Sequence, residues 1–205
     1  LNITNDLTIS SSTLVMNPHN LILTRNFLLT SGVFDAGTGS HDVDGNLTLN
    51  GGTFTASSSA LDLAGNWDDV LGAFDGGTST ITLSGATKTI KTGASNKFNN
   101  LTIDGTIETF SDFDIEIGGV LDVNESKTLT IVAGDQLTFT GTGSAHTIVG
   151  TLTMNTSAGS NSILDFTGST LNTVVVDGTL NLNGTDATGQ ALVTGDANST
   201  VNLSF

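Results

Sequence analysis

The side chains that could do chemistry are few, and most of them are acids. The run Asp112-Phe113-Asp114-Ile115-Glu116-Ile117 places a carboxylate at every second position. Alternate residues of a strand share a face, so Asp112, Asp114 and Glu116 would project together, opposite Phe113, Ile115 and Ile117. Carboxylates held about 5–10 Å apart can serve as acid and nucleophile in glycoside hydrolysis. The same alternation also keeps any exposed strand soluble, and a solvated face is the expectation for this one.

A second acidic group lies in Asp42-Val43-Asp44-Gly45-Asn46, with Asp62 twenty residues beyond Asp42. If the two aspartates stack on neighbouring strands, their backbones lie about 4.8 Å apart and their charges repel. A bound divalent cation reverses that repulsion, so Asp42, Asp44 and Asp62 are candidate calcium ligands. The pattern is not an EF-hand loop: its glycine is displaced, and Thr53 stands where the closing glutamate belongs. Calcium is the one cofactor the sequence suggests.

The other reactive residue types are scattered. His19, His41 and His146 show no metal-ligand spacing. His41 interrupts an apolar column beside Asp42, so it either faces out or is buried and hydrogen-bonded. Arg25 is the only arginine, with no carboxylate cluster beside it of the kind a polysaccharide lyase uses. Lys88, Lys91 and Lys97 fall in a Gly/Ser/Thr/Asn-rich stretch that reads as a loop. There is no Gly-x-Ser-x-Gly elbow. No cysteine is present, which excludes disulfides and thiolate metal sites. Non-catalytic function is the expectation.

Composition narrows the partners further. The 205 residues carry five Lys and Arg against twenty Asp and Glu, for a net charge of −15. Five cations cannot line a phosphate backbone, so nucleic acid is an improbable partner. No apolar run approaches the roughly 20 residues of a membrane helix. Thr, Ser, Asn, Gly and aliphatic residues dominate, an alphabet of strands and turns. Eight Asn-x-Ser/Thr sequons occur, at Asn2, Asn46, Asn100, Asn124, Asn155, Asn183, Asn198 and Asn202. They permit glycosylation, although so Asn-, Ser- and Thr-rich a chain generates such triplets by chance.

What positions these groups is a repeat. Gly32, Gly52 and Gly72 are twenty residues apart, as are Phe34, Phe54 and Phe74. Val43, Leu63, Leu83, Ile103 and Val123 keep the step, and so do Gly45, Gly65, Gly85 and Gly105. Asn26, Asn46 and Asn66 form a column beside Leu7, Phe27, Leu47 and Trp67. The step is strict over about 1–123 and looser over 124–205. Inside each unit apolar and polar residues alternate, as in Leu61-Asp62-Leu63 and Leu101-Thr102-Ile103, the mark of short half-buried strands.

One domain over 1–205 is the simplest organisation, and its predicted fold is all-β. A single-stranded parallel β-helix, or β-solenoid, stacks equivalent residues directly over one another. About nine rungs at the strand spacing make a rod roughly 40 Å long. In that fold the glycine of the Gly45 column marks a corner needing positive φ or close backbone approach. The asparagine after it tolerates left-handed backbone and can hydrogen-bond up the stack. Trp67 joins the core. An antiparallel β-sandwich is the alternative architecture, but its strands have no reason to repeat in register.

The runs Asn50-Gly51-Gly52-Thr53-Phe54-Thr55-Ala56, Gly65-Asn66-Trp67 and Phe98-Asn99-Asn100-Leu101-Thr102-Ile103 carry a resemblance. The chain resembles repeat regions of large bacterial and archaeal adhesin-like surface proteins, closely over about 26–131 and loosely elsewhere. The resemblance implies a right-handed β-helix, an extracellular or cell-surface location, and a stalk, adhesive or filament-forming role. It carries over no catalytic residues.

The ends complete the expectation. Leu1 and Ile3 open strand-like alternation at once, and Val201, Leu203 and Phe205 close with it. No capping helix is apparent at either end. Either the sequence is an excerpt of a longer β-helix, or its ends meet those of other copies. The second case is a heterologous contact that grows an open filament. A self-assembling structural subunit of a surface filament or sheath is therefore expected. The alternative is an adhesin stalk or binding segment that recognises surface glycans, and a polysaccharide-processing enzyme is a remote third.

Overall fold

The computed structural model describes residues 1–109, 113–141, 145–157, 159–166 and 173–183, together with the backbone of 191–195. Every described element is a strand, and every strand-to-strand pairing is parallel. The chain is a parallel β-solenoid with three faces, and most described turns contribute a short strand to each face.

The first face is a nine-stranded sheet running from Asn2–Ile3 through Leu21–Leu23, Ser40–Val43, Ala60–Leu63 and Thr80–Leu83, then Asn100–Ile103 and onward to Thr173–Val176. Its register follows the repeat: His41 faces Leu61, Leu61 faces Ile81 and Ile81 faces Leu101, each twenty residues on. The second face stacks Phe27 on Leu47 and Leu47 on Trp67. The third face stacks Val33-Phe34-Asp35 on Thr53-Phe54-Thr55, and these on Ala73-Phe74-Asp75. The strand Phe27–Asp35 is long enough to bend across the second and third faces, with Gly32 at φ +84° between the two halves.

Alternation puts the apolar columns inside. Leu21, Leu23, Phe27, Leu29, Val43 and Leu63 are all essentially inaccessible to solvent. The phenylalanines form a continuous ring stack: Phe34–Phe54 centroids are 5.0 Å apart, Phe54–Phe74 5.5 Å and Phe74–Phe98 5.5 Å. Trp67 packs edge-on to Phe74 at 4.9 Å, the core role its column assigned it. Edge-to-face rings add a favourable quadrupole contact to the area they bury.

Two details of the corner were left open by the sequence. The glycines of the Gly45 column do not take positive φ, since their requirement is space. A Cβ on Gly65 would lie 2.1 Å from the Gly45 carbonyl oxygen of the preceding turn. The asparagines beside them do not adopt left-handed backbone either. They form a ladder instead. The Asn26 main-chain N–H donates to Asp6 Oδ1 (3.0 Å), that of Asn46 to Asn26 Oδ1 (2.9 Å), and that of Asn66 to Asn46 Oδ1 (2.9 Å). Each side chain thus satisfies a corner N–H that the strand ladder cannot reach.

Lys88 and Lys91 depart from expectation. They lie in the strand Lys88–Lys91 of the second face, not in a loop. Thr89-Ile90 alternates like its neighbours, with Ile90 buried over Trp67, but the surrounding Gly/Ser/Thr composition masks the signal.

Candidate functional site

The third face is interrupted once among the described residues, and a surface groove lies there. On the third face the strand Ala73–Asp75 is followed, one turn on, by two single bridges, Asp75 with Lys97 and Phe98 with Ile117. A regular ladder resumes only at Ile115–Ile117, which pairs with Gln136–Phe139. The step also stretches here: Trp67 pairs with Ile90, twenty-three residues on, and Phe98 follows Phe74 by twenty-four. Three of the extra residues lie between Leu83 and Ile90 and one between Ile90 and Phe98, whereas Trp67 to Phe74 keeps the spacing of Leu47 to Phe54. Between the turn 69–72 and the segment 92–97 runs a groove of about 440 Å3 lined by Val70, Thr92, Asn96, Phe113, Asp114 and Glu116. A second hollow of about 300 Å3 lies across the same segment, beside Lys97 and Phe98.

Side chains replace the missing ladder. Asn96 is buried, and its Oδ1 accepts the Phe74 N–H at 2.9 Å. Its Nδ2 donates to the Asp69 carbonyl oxygen (2.9 Å) and the Gly72 carbonyl oxygen (3.1 Å). One amide therefore does the work of three backbone groups. Asp69 is fully buried beside it, and its Oδ1 accepts the Gly93 N–H at 2.6 Å. No hydrogen bond of normal geometry reaches Asp69 Oδ2 or the Trp67 indole nitrogen. The Trp67 and Asn96 N–H groups still favour the Asp69 anion as nearby dipoles. Burial outweighs them, and the carboxyl is pushed up to about 6. Asp69 takes the inward place that Leu29 and Leu49 hold in the two preceding turns, a signal carried by the period, whereas Asn96 is marked in the sequence only by the slipped step around it.

The acidic strand divides. Asp112 lies outside the described residues. Ile115 and Ile117 are buried, Phe113 and Glu116 are half-buried and Asp114 is exposed, so the apolar and acidic faces separate as the alternation required. Both described carboxylates are engaged: Asp114 Oδ1 accepts the Gln136 N–H at 2.7 Å, and Glu116 pairs with Lys97 at 3.8 Å.

Asp42 and Asp62 do stack, in register on the first face, with Ile22 before them and Thr82 after. Partial desolvation, then the charges of Asp44 and Asp62, raise the Asp42 carboxyl above its ordinary range. Asp62 Oδ1 also accepts the Ser84 hydroxyl. Among the described residues, no group of three or more His, Asp or Glu side chains is arranged to hold a metal ion.

Two of the three histidines are core residues of a single column. His41 is buried, its Nδ1 accepts the Leu21 N–H at 3.1 Å, and its Nε2 lies 2.9 Å from the Ala36 carbonyl oxygen. The proton therefore sits on Nε2 and the ring is neutral. His146 occupies the equivalent place five strands along the first face and accepts the Leu121 N–H at 3.0 Å. Its Nε2 has no partner, and burial lowers it to about 4. In both cases a ring nitrogen replaces a carbonyl of the ladder.

At the first-turn end, Leu1 is more than half exposed and Ile3 is partly buried. The strands Asn2–Ile3 and Leu7–Val15 each pair on one side only. Val201, Leu203 and Phe205 lie outside the described residues. No protein-family model matches the chain, and neither a curated protein nor a solved structure matches it.

Proposed function

We propose that this protein is a non-catalytic structural rod of an extracellular surface assembly, in which copies join head to tail by continuing the parallel ladder. The observation that carries the reading is the uniform parallel stack, whose register repeats from turn to turn and whose described acidic-strand carboxylates and core histidines are engaged in structural bonds. Every turn of such a stack presents the same N–H and C=O groups along its axis, so a second copy would continue the ladder beside Asn2–Ile3 and Leu7–Val15, where Ile3 and Leu7 pack on the core. The repeats resembling those of adhesin-like surface proteins support the extracellular setting. So does the acidic charge balance.

Electron microscopy at micromolar concentration tests this reading. Uniform filaments that are lost when Ile3→Lys and Leu7→Lys are introduced together support it. Dispersed short particles at all concentrations sink it, and the edge then belongs to further turns of a longer chain. Repeating the preparation with calcium or chelator shows whether a cation at Asp42 and Asp62 contributes. A second reading, a stalk segment that recognises surface glycans, is favoured by the groove beside Phe113, Asp114 and Glu116. Saturable binding of a soluble oligosaccharide, weakened by Phe113→Ala, would support it.

A further inference from the structure

The corner between the second and third faces holds a reactive pair that neither proposed role uses. Asn50 is followed by Gly51, in the bend that joins the strand Leu47–Leu49 to the strand Thr53–Thr55. Asn50 is exposed, and its side-chain amide makes no hydrogen bond among the described residues. Its main-chain N–H donates to the Leu29 carbonyl oxygen at 2.8 Å, which anchors the residue on the preceding turn. The Gly51 N–H, by contrast, has no acceptor among the described residues. Gly51 takes φ +129°, and a Cβ there would lie 2.3 Å from the Thr30 carbonyl oxygen. The corner therefore requires this glycine, and with it the Asn-Gly pair. The neighbouring turns place Thr30-Ser31 and Val70-Leu71 at the same two positions.

We propose that Asn50 is a site of spontaneous covalent modification, where the side-chain amide is converted through a cyclic imide to aspartate and β-linked isoaspartate. Asparagine is among the chemically labile residue types, and here both reacting groups are free. The Gly51 nitrogen gives up its proton to hydroxide and attacks Asn50 Cγ. The new N–Cγ bond closes a succinimide ring, the Cγ–Nδ2 bond breaks, and Nδ2 leaves as ammonia with a proton drawn from water. One water then adds to the imide. Opening at Cγ leaves an ordinary aspartate, whereas opening at the Asn50 carbonyl carbon leaves isoaspartate. The sum is one water consumed and one ammonia released, with no change of oxidation state.

Related pairs lack one of the two free groups. In Asp44-Gly45 the glycine N–H donates to the Arg25 carbonyl oxygen at 3.2 Å, and in Asp177-Gly178 to that of Ile148 at 2.8 Å. In Asp104-Gly105 the carboxylate is held by Asn124 at 3.3 Å and Lys127 at 3.4 Å. The ladder residues Asn26, Asn46 and Asn66 precede bulky side chains, and each Oδ1 already accepts an N–H. Either product at Asn50 adds a negative charge to a chain already at −15. Isoaspartate also lengthens the main chain by one atom between Leu49, paired with Leu29, and Thr53, paired with Val33. A corner clamped at both ends has to absorb it.

Peptide mapping by mass spectrometry of the folded chain, held at mildly alkaline pH, tests the proposal. The peptide containing Asn50 is expected to gain the mass of an amide-to-acid exchange, take up heavy oxygen from labelled water, and contain isoaspartate beside aspartate. Peptides containing Asn26, Asn46 and Asn66 are expected to stay unchanged. Asn50→Gln needs a larger, slower-forming ring and is expected to lose the signal. That variant keeps the fold, because the native side chain makes no bond to lose. An Asn50 peptide that stays amidated in the folded chain, over the time in which the urea-unfolded chain converts, overturns the proposal. Conversion as fast at Asn46 overturns it too. So does conversion to aspartate without isoaspartate, since direct hydrolysis needs no Gly51 nitrogen.

Discussion

The turns between Leu21 and Trp67 and the segment that follows them solve one problem in two ways. Both must satisfy backbone groups at corners where strands cannot pair. In the regular turns the answer is repetitive and exposed: Asn26, Asn46 and Asn66 each accept one N–H, and water reaches them. In the interrupted turn the answer is singular and buried, with Asn96 bonding three backbone groups and Asp69 one. Repetition spreads the cost over many weak and replaceable bonds, whereas the interruption concentrates it in two side chains. A solenoid can therefore absorb a few extra residues per turn, but it becomes dependent on particular polar atoms where it does so.

The histidines make the same contrast. His41 has both ring nitrogens bonded, whereas His146, in the less regular half, has only one. Each is a neutral ring replacing a carbonyl, and the poorer site is the more strongly perturbed.

The largest effect is expected where the two regions share a core. Trp67→Ala leaves a cavity between Phe54, Phe74 and Phe98 and should cost about 3–5 kcal/mol by denaturant unfolding. Next comes the His146 titration. Its folded value of about 4 lies below the ordinary 6.5, so stability from this group is present above 6.5 and lost as pH falls towards 4. Over that window the wild type should lose about 3 kcal/mol to this group, and His146→Val should flatten the dependence. Asp69 acts with the opposite sign over part of the same range, so the two slopes separate only in the variants.

Asn96→Ala should cost about 2 kcal/mol, because it orphans a buried N–H and two carbonyls. Asn46→Ala, which removes an exposed acceptor from the ladder, should cost only about 0.5–1 kcal/mol. Equal losses in these two variants, measured side by side by urea unfolding, would break the comparison between the regions.

How much of this was legible in the sequence depended on repetition. The Phe34-Phe54-Phe74 column, the Val43-Leu63-Leu83 column and the asparagine column each occur several times, and their register is the register of the structure. The Asp42–Asp62 juxtaposition followed from the same step. Asp69 and Asn96 occur once each. Asp69 reads by itself in Trp67-Asp68-Asp69-Val70 as a surface acid, yet it stands twenty residues beyond Leu49, at an inward position of the repeat, while Asn96 reads as one polar residue among many. The signal near Asn96 was the delay from Phe74 to Phe98, twenty-four residues instead of twenty.

The twenty-residue period and the alternation within it determined the all-β solenoid, its inward columns and the identity of residues that stack. Periodicity acts through spacing alone, and spacing is written in the chain. Whether a corner glycine serves φ or space, which histidine nitrogen holds its proton, and where the third face breaks were decided by the tertiary structure. Each of these depends on atoms brought together from different turns, and on how much water the packing leaves between them.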